Sequence, residues 1–587
     1  MNNYSLSKVI YEEKTSLIVS IRKLLPLLKN QKKEILLAVL AALVASGLNL
    51  VAPILVGHAV DDYIVVGDYH GVLVYSAIIL AIYVVSVVAN YFQTLLMGLV
   101  GQDVLFNLRN RIFTKLEDLP IAFFNQNKAG DLISRINNDT DKLNQFFSQS
   151  LVQFMANIIT IVGAAIFVLS INWKLGIIAI GPGLFLLIFT QVLSPWIKNR
   201  NAANLKSIGS MSAEISESID NFKVIVAFNR RDYFRDKFEK VTASNYEAAT
   251  KAGIANVTLT PTYGLASNLA LLSVIAFGLT LITTGSFSLG LLISFITYVG
   301  RIYDPLRQMA ALWSNFQTAF AGWDRIHSIL VLDSDMKMIE SKGEVKRAKN
   351  IMEFKNVSFS YPEGREVLHD ISFSLEKGKT YAFVGPTGGG KTTTASLMSR
   401  LYDPQAGTVY LDNKDIREYS DLERAKKIGF ILQEPFLFTG TVRDNIVYSN
   451  EKYQDLSNEK LEEVIKENGL ESLLKRFEDG LDTAVTATGS KLSLGQKQLI
   501  AFMRAVLRRP ELLILDEATA NIDTVTEKLL DEILAKLPEE TTLVIIAHRL
   551  NTIEDADEIF FVNQGEVVRA GSMEHAVDML LHGKRQS

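Results

Sequence analysis

Cysteine is absent from this sequence of 587 residues. Its absence excludes disulfides, thiolate metal sites and cysteine nucleophiles. It says little about compartment, because a protein facing the cytosol can simply lack thiols. A strong net charge is missing as well. The chain carries 60 Lys+Arg against 64 Asp+Glu, a formal balance of −4, so nucleic acid is not an expected partner. No cleavable signal peptide is visible. Residues 1–34 are polar and basic, with Arg22, Lys23, Lys29, Lys32 and Lys33 around Leu24, Leu25, Leu27 and Leu28. That stretch reads as an amphipathic helix lying on the inner leaflet of a membrane.

Charge of either sign is scarce over long stretches. Residues 35–60, 69–102, 143–173, 175–197 and 252–300 contain no Asp, Glu, Lys or Arg. A hydrocarbon core of roughly 30 Å needs about 20 helical residues, and each of the first four runs can cover it. The fifth is too long for one span and contains the turn-like Thr283-Thr284-Gly285-Ser286-Phe287-Ser288. It reads as one span plus the start of another, the latter running on toward Phe320. Six membrane helices are therefore expected, in a domain covering residues 35–330. Loop charge orients them. Residues 61–71 hold no Lys or Arg, whereas Arg109, Arg111, Lys115, Lys128, Arg135 and Lys142 lie within 102–150, and ten basic residues lie within 198–251. The positive-inside rule places these basic segments and both termini in the cytosol, with the spans in the cytoplasmic membrane and lipid around them. Apolar residues at helical spacing within 104–116 and 212–228 imply that the spans continue well into the cytosol and turn back there, one reversal lying at Gly130-Asp131.

After a charged linker, 331–350, the pattern changes to short β-rich segments separated by helices. Residues 351–360, 380–384, 512–515 and 542–546 read as strands of an α/β domain spanning 351–587. The apolar strand 381–384 is followed by Gly385-Pro386-Thr387-Gly388-Gly389-Gly390-Lys391-Thr392 and then by helix-like residues from Thr393. That is the context of a phosphate loop. Its glycines let backbone N–H groups converge on phosphate oxygens, with the positive end of a helix behind them. Lys391 is placed to reach the β and γ phosphates, and Thr392 to hold Mg²⁺. Further along, Leu512-Leu513-Ile514-Leu515 delivers Asp516 and Glu517 at the carboxyl end of a buried strand, where ligands of open α/β sheets bind. Asp516 suits Mg²⁺ coordination, and Glu517 suits polarising an attacking water.

The stretch Leu492-Ser493-Leu494-Gly495-Gln496, followed by Lys497-Gln498 and Arg504-Ala505, resembles the signature of ATP-binding-cassette transporters. The family's other elements occur in order: Tyr361 before the phosphate loop, Gln433, Asp523, and His548 in Ala547-His548-Arg549. With six preceding spans, nearly the whole chain is similar to an exporter-type half-transporter, the group that includes bacterial multidrug exporters and the lipid A flippase. The resemblance implies a six-helix transmembrane domain followed by an α/β ATP-binding cassette, with ATP and Mg²⁺ as cofactors. It implies that Tyr361 stacks on adenine, that Gly385, Gly388, Gly390, Lys391, Thr392 and Thr393 surround the phosphates, and that Gln433 joins Thr392 and Asp516 at the metal. Glu517 and His548 become the catalytic pair. Ser493, Gly495 and Gln496 contact the γ-phosphate held by an opposite subunit, so two cassettes must sandwich two ATP molecules. Residues 123–131 and 217–226 match the cytosolic turns that couple cassettes to spans.

Two departures lie on the surface offered to the partner. The signature's usual third glycine is Leu494, and an acidic residue expected upstream is replaced by Ala487. A leucine where backbone approaches phosphate weakens that contact. This asymmetry resembles one subunit of a heterodimer, with a homodimer as the alternative. In the last expected span, Arg301, Asp304 and Arg307 recur one helical turn apart. They read either as a substrate-cavity or gate cluster, or as an ion pair holding helices together. The expected activity is ATP-driven export or flipping of amphipathic drugs, lipids or peptides. An importer of the same architecture, or a regulatory ATPase that moves no substrate, stays open.

Overall fold

The computed structural model describes residues 4–6, 25–340 and 348–571, except 363, 365, 434, 449, 487–491, 517–523 and 547–555, together with 574, 575, 578 and 579. Contacts divide the chain into two compact units. One holds residues 6–117 and 129–331, the other residues 1–5, 118–128 and 332–587.

The first unit is all helix. Its long helices are α1 (Lys32–Ile64), α2 (Tyr69–Glu117), α3 (Ala129–Ile171), α4 (Trp173–Asp220), α5 (Arg231–Thr283) and α6 (Leu289–Leu330). Among the described residues, α1 to α5 are long and apolar enough to cross a membrane. The sixth expected span corresponds to α6, which does not join them: Arg301, Asp304 and Arg307 break its apolar run. The turn expected at Thr283–Ser288 separates α5 from α6, as the glycine and hydroxyl residues there suggest. Helix α2 has 49 residues and α5 has 53. At 1.5 Å per residue each is more than twice as long as the ~30 Å hydrocarbon core, so they project beyond it as expected. The amphipathic helix expected before α1 falls mostly on residues outside those described. Only a single 3₁₀ turn, Leu25–Leu28, is seen there.

Outward-facing apolar side chains on α2, such as Leu80, Val84, Val87 and Tyr91, are exposed, which suits lipid rather than water. Small residues let helices approach closely inside. A Cβ on Gly290 of α6 would lie 2.0 Å from the Gly57 carbonyl of α1. Beside it the Asp61 carboxylate accepts from the Ser288 hydroxyl and from the Gly290 N–H at 2.8 Å. Two polar side chains bridge neighbouring helices within the spans: Asn49 Nδ2 donates to Ser86 Oγ at 2.7 Å, and Tyr303 OH to the Ala179 carbonyl at 3.0 Å. At the start of α3 and the end of α6, outside their most apolar stretches, an ionic cluster forms. Buried Arg135 donates to Asp131 at 2.8 Å, to the Arg325 carbonyl at 2.7 Å and to Ser328 at 3.0 Å. Buried Asp139 meets Lys142 at 3.0 Å and Arg325 at 3.1 Å.

The second unit is α/β. An antiparallel sheet is built from β1 (Asn350–Ser360), β2 (Glu366–Glu376), β4 (Ala406–Leu411) and β5 (Lys414–Asp415), in the order β2-β1-β4-β5. The strand between them in sequence, β3 (Thr380–Val384), belongs to a second sheet. There it joins β6 (Ile428–Ile431), β9 (Leu512–Asp516), β10 (Thr542–Ile546), β11 (Glu558–Asn563) and β12 (Glu566–Arg569), in the order β12-β11-β3-β10-β9-β6. The pairs from β11 to β6 are parallel. Strands β9 and β10 are buried along their whole length, which is why they read as unbroken apolar runs. Two-residue strands β7 (Gly440–Thr441) and β8 (Ala484–Val485) form a small ribbon. All four strands expected from sequence are present. The segment Asp118–Lys128, between α2 and α3, belongs to this unit, and so do Tyr4 and Ser5. It carries the short helix Ile121–Gln126; Gly130 and Asp131, where the sequence pattern places the reversal, lie instead in the first turn of α3, and the chain turns just before it, at Asn127-Lys128.

Candidate nucleotide site

Parallel pairing of β3, β10 and β9 points their carboxyl ends the same way, and the loops that follow carry the expected site residues. After β3 the chain enters the glycine loop and then helix α7 (Lys391–Met398). Gly385 has φ +148°, and a Cβ there would lie 1.9 Å from the Val562 carbonyl oxygen. Gly390, the residue before the helix, has φ +117°, with Leu368 Cδ2 at 2.8 Å from a built Cβ. Both positions therefore require glycine, for backbone conformation and for space. Gly388, at φ +81°, faces open space at the loop tip.

Lys391 is buried, and its Nζ donates to the carbonyls of Gly385 at 2.8 Å and Pro386 at 3.1 Å. The ammonium is thus held inside the loop, where phosphate oxygens would meet it. Thr392 Oγ1 donates to Asp516 Oδ1 at 3.3 Å. Asp516, the last residue of β9, is buried. A hydroxyl beside a buried carboxylate is an all-oxygen donor pair of the kind Mg²⁺ prefers. Gln433 is exposed two residues beyond β6, whose Ile431 pairs with Leu515. It therefore leaves the sheet beside Asp516. Glu517, His548 and Asp523 lie outside the described residues, as does Ala487. Strands β9 and β10 end together, with Asp516 opposite Ile546.

Tyr361 follows β1. Its hydroxyl lies 3.2 Å from Thr393 Oγ1 on α7, and its ring stands at 90° to Tyr402, with centroids 5.4 Å apart. Phe359 packs against both rings. The expected base platform is thus tied to the phosphate helix. The sequence reading missed two members of this cluster. Asn125, in the short helix Ile121–Gln126, donates through Nδ2 to Tyr402 OH at 2.6 Å. Burial pushes the Tyr402 hydroxyl above the ordinary tyrosine range, and the Asn125 hydrogen bond offsets part of that. The residues are 277 positions apart, and no local pattern announces the pair.

The signature segment stands apart from the glycine loop in its role. Ser493 caps helix α8 (Leu494–Leu507): its hydroxyl accepts from the Gln496 N–H at 3.1 Å, while Gln496 Oε1 accepts from the Ser493 N–H at 2.9 Å. This reciprocal capping box commits the Gln496 side chain, whose Nε2 also donates to the Arg476 carbonyl at 3.1 Å. Gly495 is half-buried, and Leu494 is 41% exposed at the start of the helix. In the membrane unit, Asp304 and Arg307 are exposed and 3.6 Å apart, while Arg301 is half-buried.

Residues 35–306 match the family described as the ABC transporter transmembrane region, and residues 368–520 match the ABC transporter family. The chain is 34% identical to an uncharacterized ABC transporter ATP-binding protein of Bacillus subtilis, over 95% of this chain and 92% of the relative. The chain belongs to the ABC transporter family. It is 30% identical to the ATP-dependent lipid A-core flippase of Syntrophus aciditrophicus, over 94% of this chain and 91% of that one. It is also 30% identical to a multidrug resistance ABC transporter ATP-binding and permease protein of Lactococcus lactis, over 94% and 93%. Transmembrane region and cassette in one chain make this ABC transporter an exporter-type half-transporter, a multi-pass membrane ATPase coupled to transport.

Proposed function

We propose that this half-transporter exports or flips amphipathic or hydrophobic compounds across the cytoplasmic membrane, its cassette facing the cytosol, as one subunit of a heterodimer. The relatives named for a lipid A-core and for multidrug resistance support that substrate class. The observation that carries the dimeric reading is the placement of the signature. Ser493 and Gly495 open helix α8 with Leu494 exposed between them, a surface that a second cassette would cover. Leucine there in place of glycine favours an unlike partner carrying the complementary defect.

Bound Mg-ATP supplies the free energy of phosphoryl transfer to water. On this chain, the loop from Gly385 to Gly390 and Lys391 bind the phosphates, and Tyr361 offers its ring to the base. Thr392, Asp516 and Gln433 supply oxygen ligands to the metal. Glu517 accepts a proton from the attacking water, and His548 steadies the γ-phosphate. In the membrane unit Arg301, Asp304 and Arg307 line the path of the cargo. A second coupling turn is the short helix Phe222–Ala227. There Phe222 and Val224 are exposed beside an apolar hollow of about 490 Å³ lined by Ile215, Ile219, Phe234 and Phe238. Purification of this chain alone tests the heterodimer. A stable homodimer with robust ATPase stimulated by a fluorescent phospholipid or an amphipathic dye would refute it.

A further inference from the structure

Four points carry the chain from one unit to the other: between residues 5 and 6, 117 and 118, 128 and 129, and 331 and 332. On the α/β side of these points lie residues 4–5, the segment Asp118–Lys128 and the linker from Leu332. Tyr4 bonds to both of the other two. Its N–H donates to Gln126 Oε1 at 2.9 Å, and its carbonyl accepts from Asn127 Nδ2 at 3.0 Å. Its hydroxyl donates to Asp335 Oδ1 at 2.6 Å, accepts from the Asp335 N–H at 2.9 Å, and lies 3.2 Å from the Asp333 carbonyl. Its ring meets Phe123 edge-on at 6.4 Å, and the residue is 1% exposed. A buried hydroxyl with donor and acceptor both satisfied is a well-defined fixture, because losing either partner leaves a desolvated polar group.

We propose that Tyr4 is a positioning residue for ATP-coupled transport, locking the Asp118–Lys128 segment and the linker into one junction. The proposal rests on the ATP-driven reading above. Asn125 already joins this segment to the base platform through Tyr402 and Tyr361. That bond and the buried Leu119, Ala122 and Phe123 hold the first part of the segment, and its last residues need a further anchor. Tyr4 holds the next two residues, Gln126 and Asn127, from the other side and anchors them to the linker. A displacement of the platform on nucleotide binding then reaches every passage into the membrane unit together, instead of being absorbed by rotation of one loop. Loosening the junction should then weaken the response to nucleotide.

The absence of cysteine makes the test clean, since Lys128→Cys gives the chain a single attachment site for a nitroxide at an exposed position of the segment. The full chain with its dimer partner, any partner cysteines replaced, is reconstituted in nanodiscs and probed with Mg-AMP-PNP and TNP-ATP. Mg-AMP-PNP should change the label's line shape in the Tyr4 protein. Tyr4→Ala should abolish the change and Tyr4→Phe should reduce it by about half or more, with basal ATP turnover and KM for ATP within about twofold. The thermal midpoint of Tyr4→Phe, which keeps the buried ring, should move by no more than about 4 °C. A nucleotide-dependent line shape that survives in both variants overturns the proposal. So does a response lost together with thermal stability and basal turnover, which would make Tyr4 a packing residue. If the parent protein binds TNP-ATP while its label stays silent, the junction does not move, and this proposal fails alone. If TNP-ATP does not bind at all, the nucleotide reading beneath it fails first.

Discussion

Replacing Gly385 by alanine puts a methyl group where the glycine loop has no room for one. The built Cβ lies 1.9 Å from the Val562 carbonyl oxygen, a backbone atom that no side-chain rotation can move. To reach even 3.0 Å, the loop must shift by roughly 1 Å, enough to pull its N–H groups out of hydrogen-bond reach of phosphate oxygens, each such contact being worth about 1.5–3 kcal/mol. The φ of +148° adds strain of about 1–3 kcal/mol for any residue with a Cβ. At about 1.4 kcal/mol per decade, the two effects lower nucleotide affinity by about 100-fold or more. Gly388→Ala is the matched control. Its φ is +81° but nothing lies within 4 Å of the built Cβ, so it bears only the conformational cost, about 1–2 kcal/mol, or roughly tenfold. TNP-ATP titration of both variants, with thermal unfolding to confirm folding, reads the difference. Equal losses in the two, or near-normal binding by Gly385→Ala, would refute the steric reasoning about this loop.

Other consequences follow from the same structure. Arg325→Ala should destabilise the membrane unit by about 3 kcal/mol, because it leaves the buried Asp139 carboxylate with Lys142 alone; an unchanged melting profile would contradict that role. Tyr402→Phe and Asn125→Ala should each cost about 0.5–1.5 kcal/mol, and the double variant no more than either single one, since both remove one hydrogen bond. Additive losses in a double-mutant cycle would show that the two side chains act independently. Leu494→Gly should tighten TNP-ATP binding at the site completed by this signature by about tenfold, if one charge-assisted backbone contact to phosphate is regained at about 1.5 kcal/mol. No change would remove the argument that leucine degrades that surface.

What could be read in the sequence was what function and burial impose locally. The glycine loop announces itself because phosphate binding needs glycine at positive φ next to a helix start, and Gly385 and Gly390 occupy such positions. Strands β9 and β10 were visible because burial on both faces makes Leu512–Leu515 and Leu543–Ile546 uninterrupted apolar runs. The turn between α5 and α6 was marked by Gly285 at φ +73°. By contrast Asn125, Tyr402 and Tyr4 are ordinary polar and aromatic residues whose hydrogen-bond partners across this unit lie 122 to 331 positions away. Nothing in their neighbourhoods distinguishes a buried clamp from a surface side chain. In the signature, Ser493 and Gln496, which the resemblance makes contacts to a partner's nucleotide, also accept each other's backbone N–H at the start of α8. Capping chemistry and signature chemistry use the same residue types. The sixth span is expected to run on toward Phe320 through Arg301, Asp304 and Arg307, and with those charges α6 is not among the five helices apolar enough to cross.

The central claim is that ATP hydrolysis at this chain's own site drives transport. It is tested most directly by ATP-dependent movement of a fluorescent phospholipid and an amphipathic dye into inside-out vesicles carrying the chain and its partner, comparing the parent protein with Glu517→Gln. The parent protein should show flux and Glu517→Gln none, with TNP-ATP binding to this chain preserved. Undiminished flux in Glu517→Gln would contradict that claim.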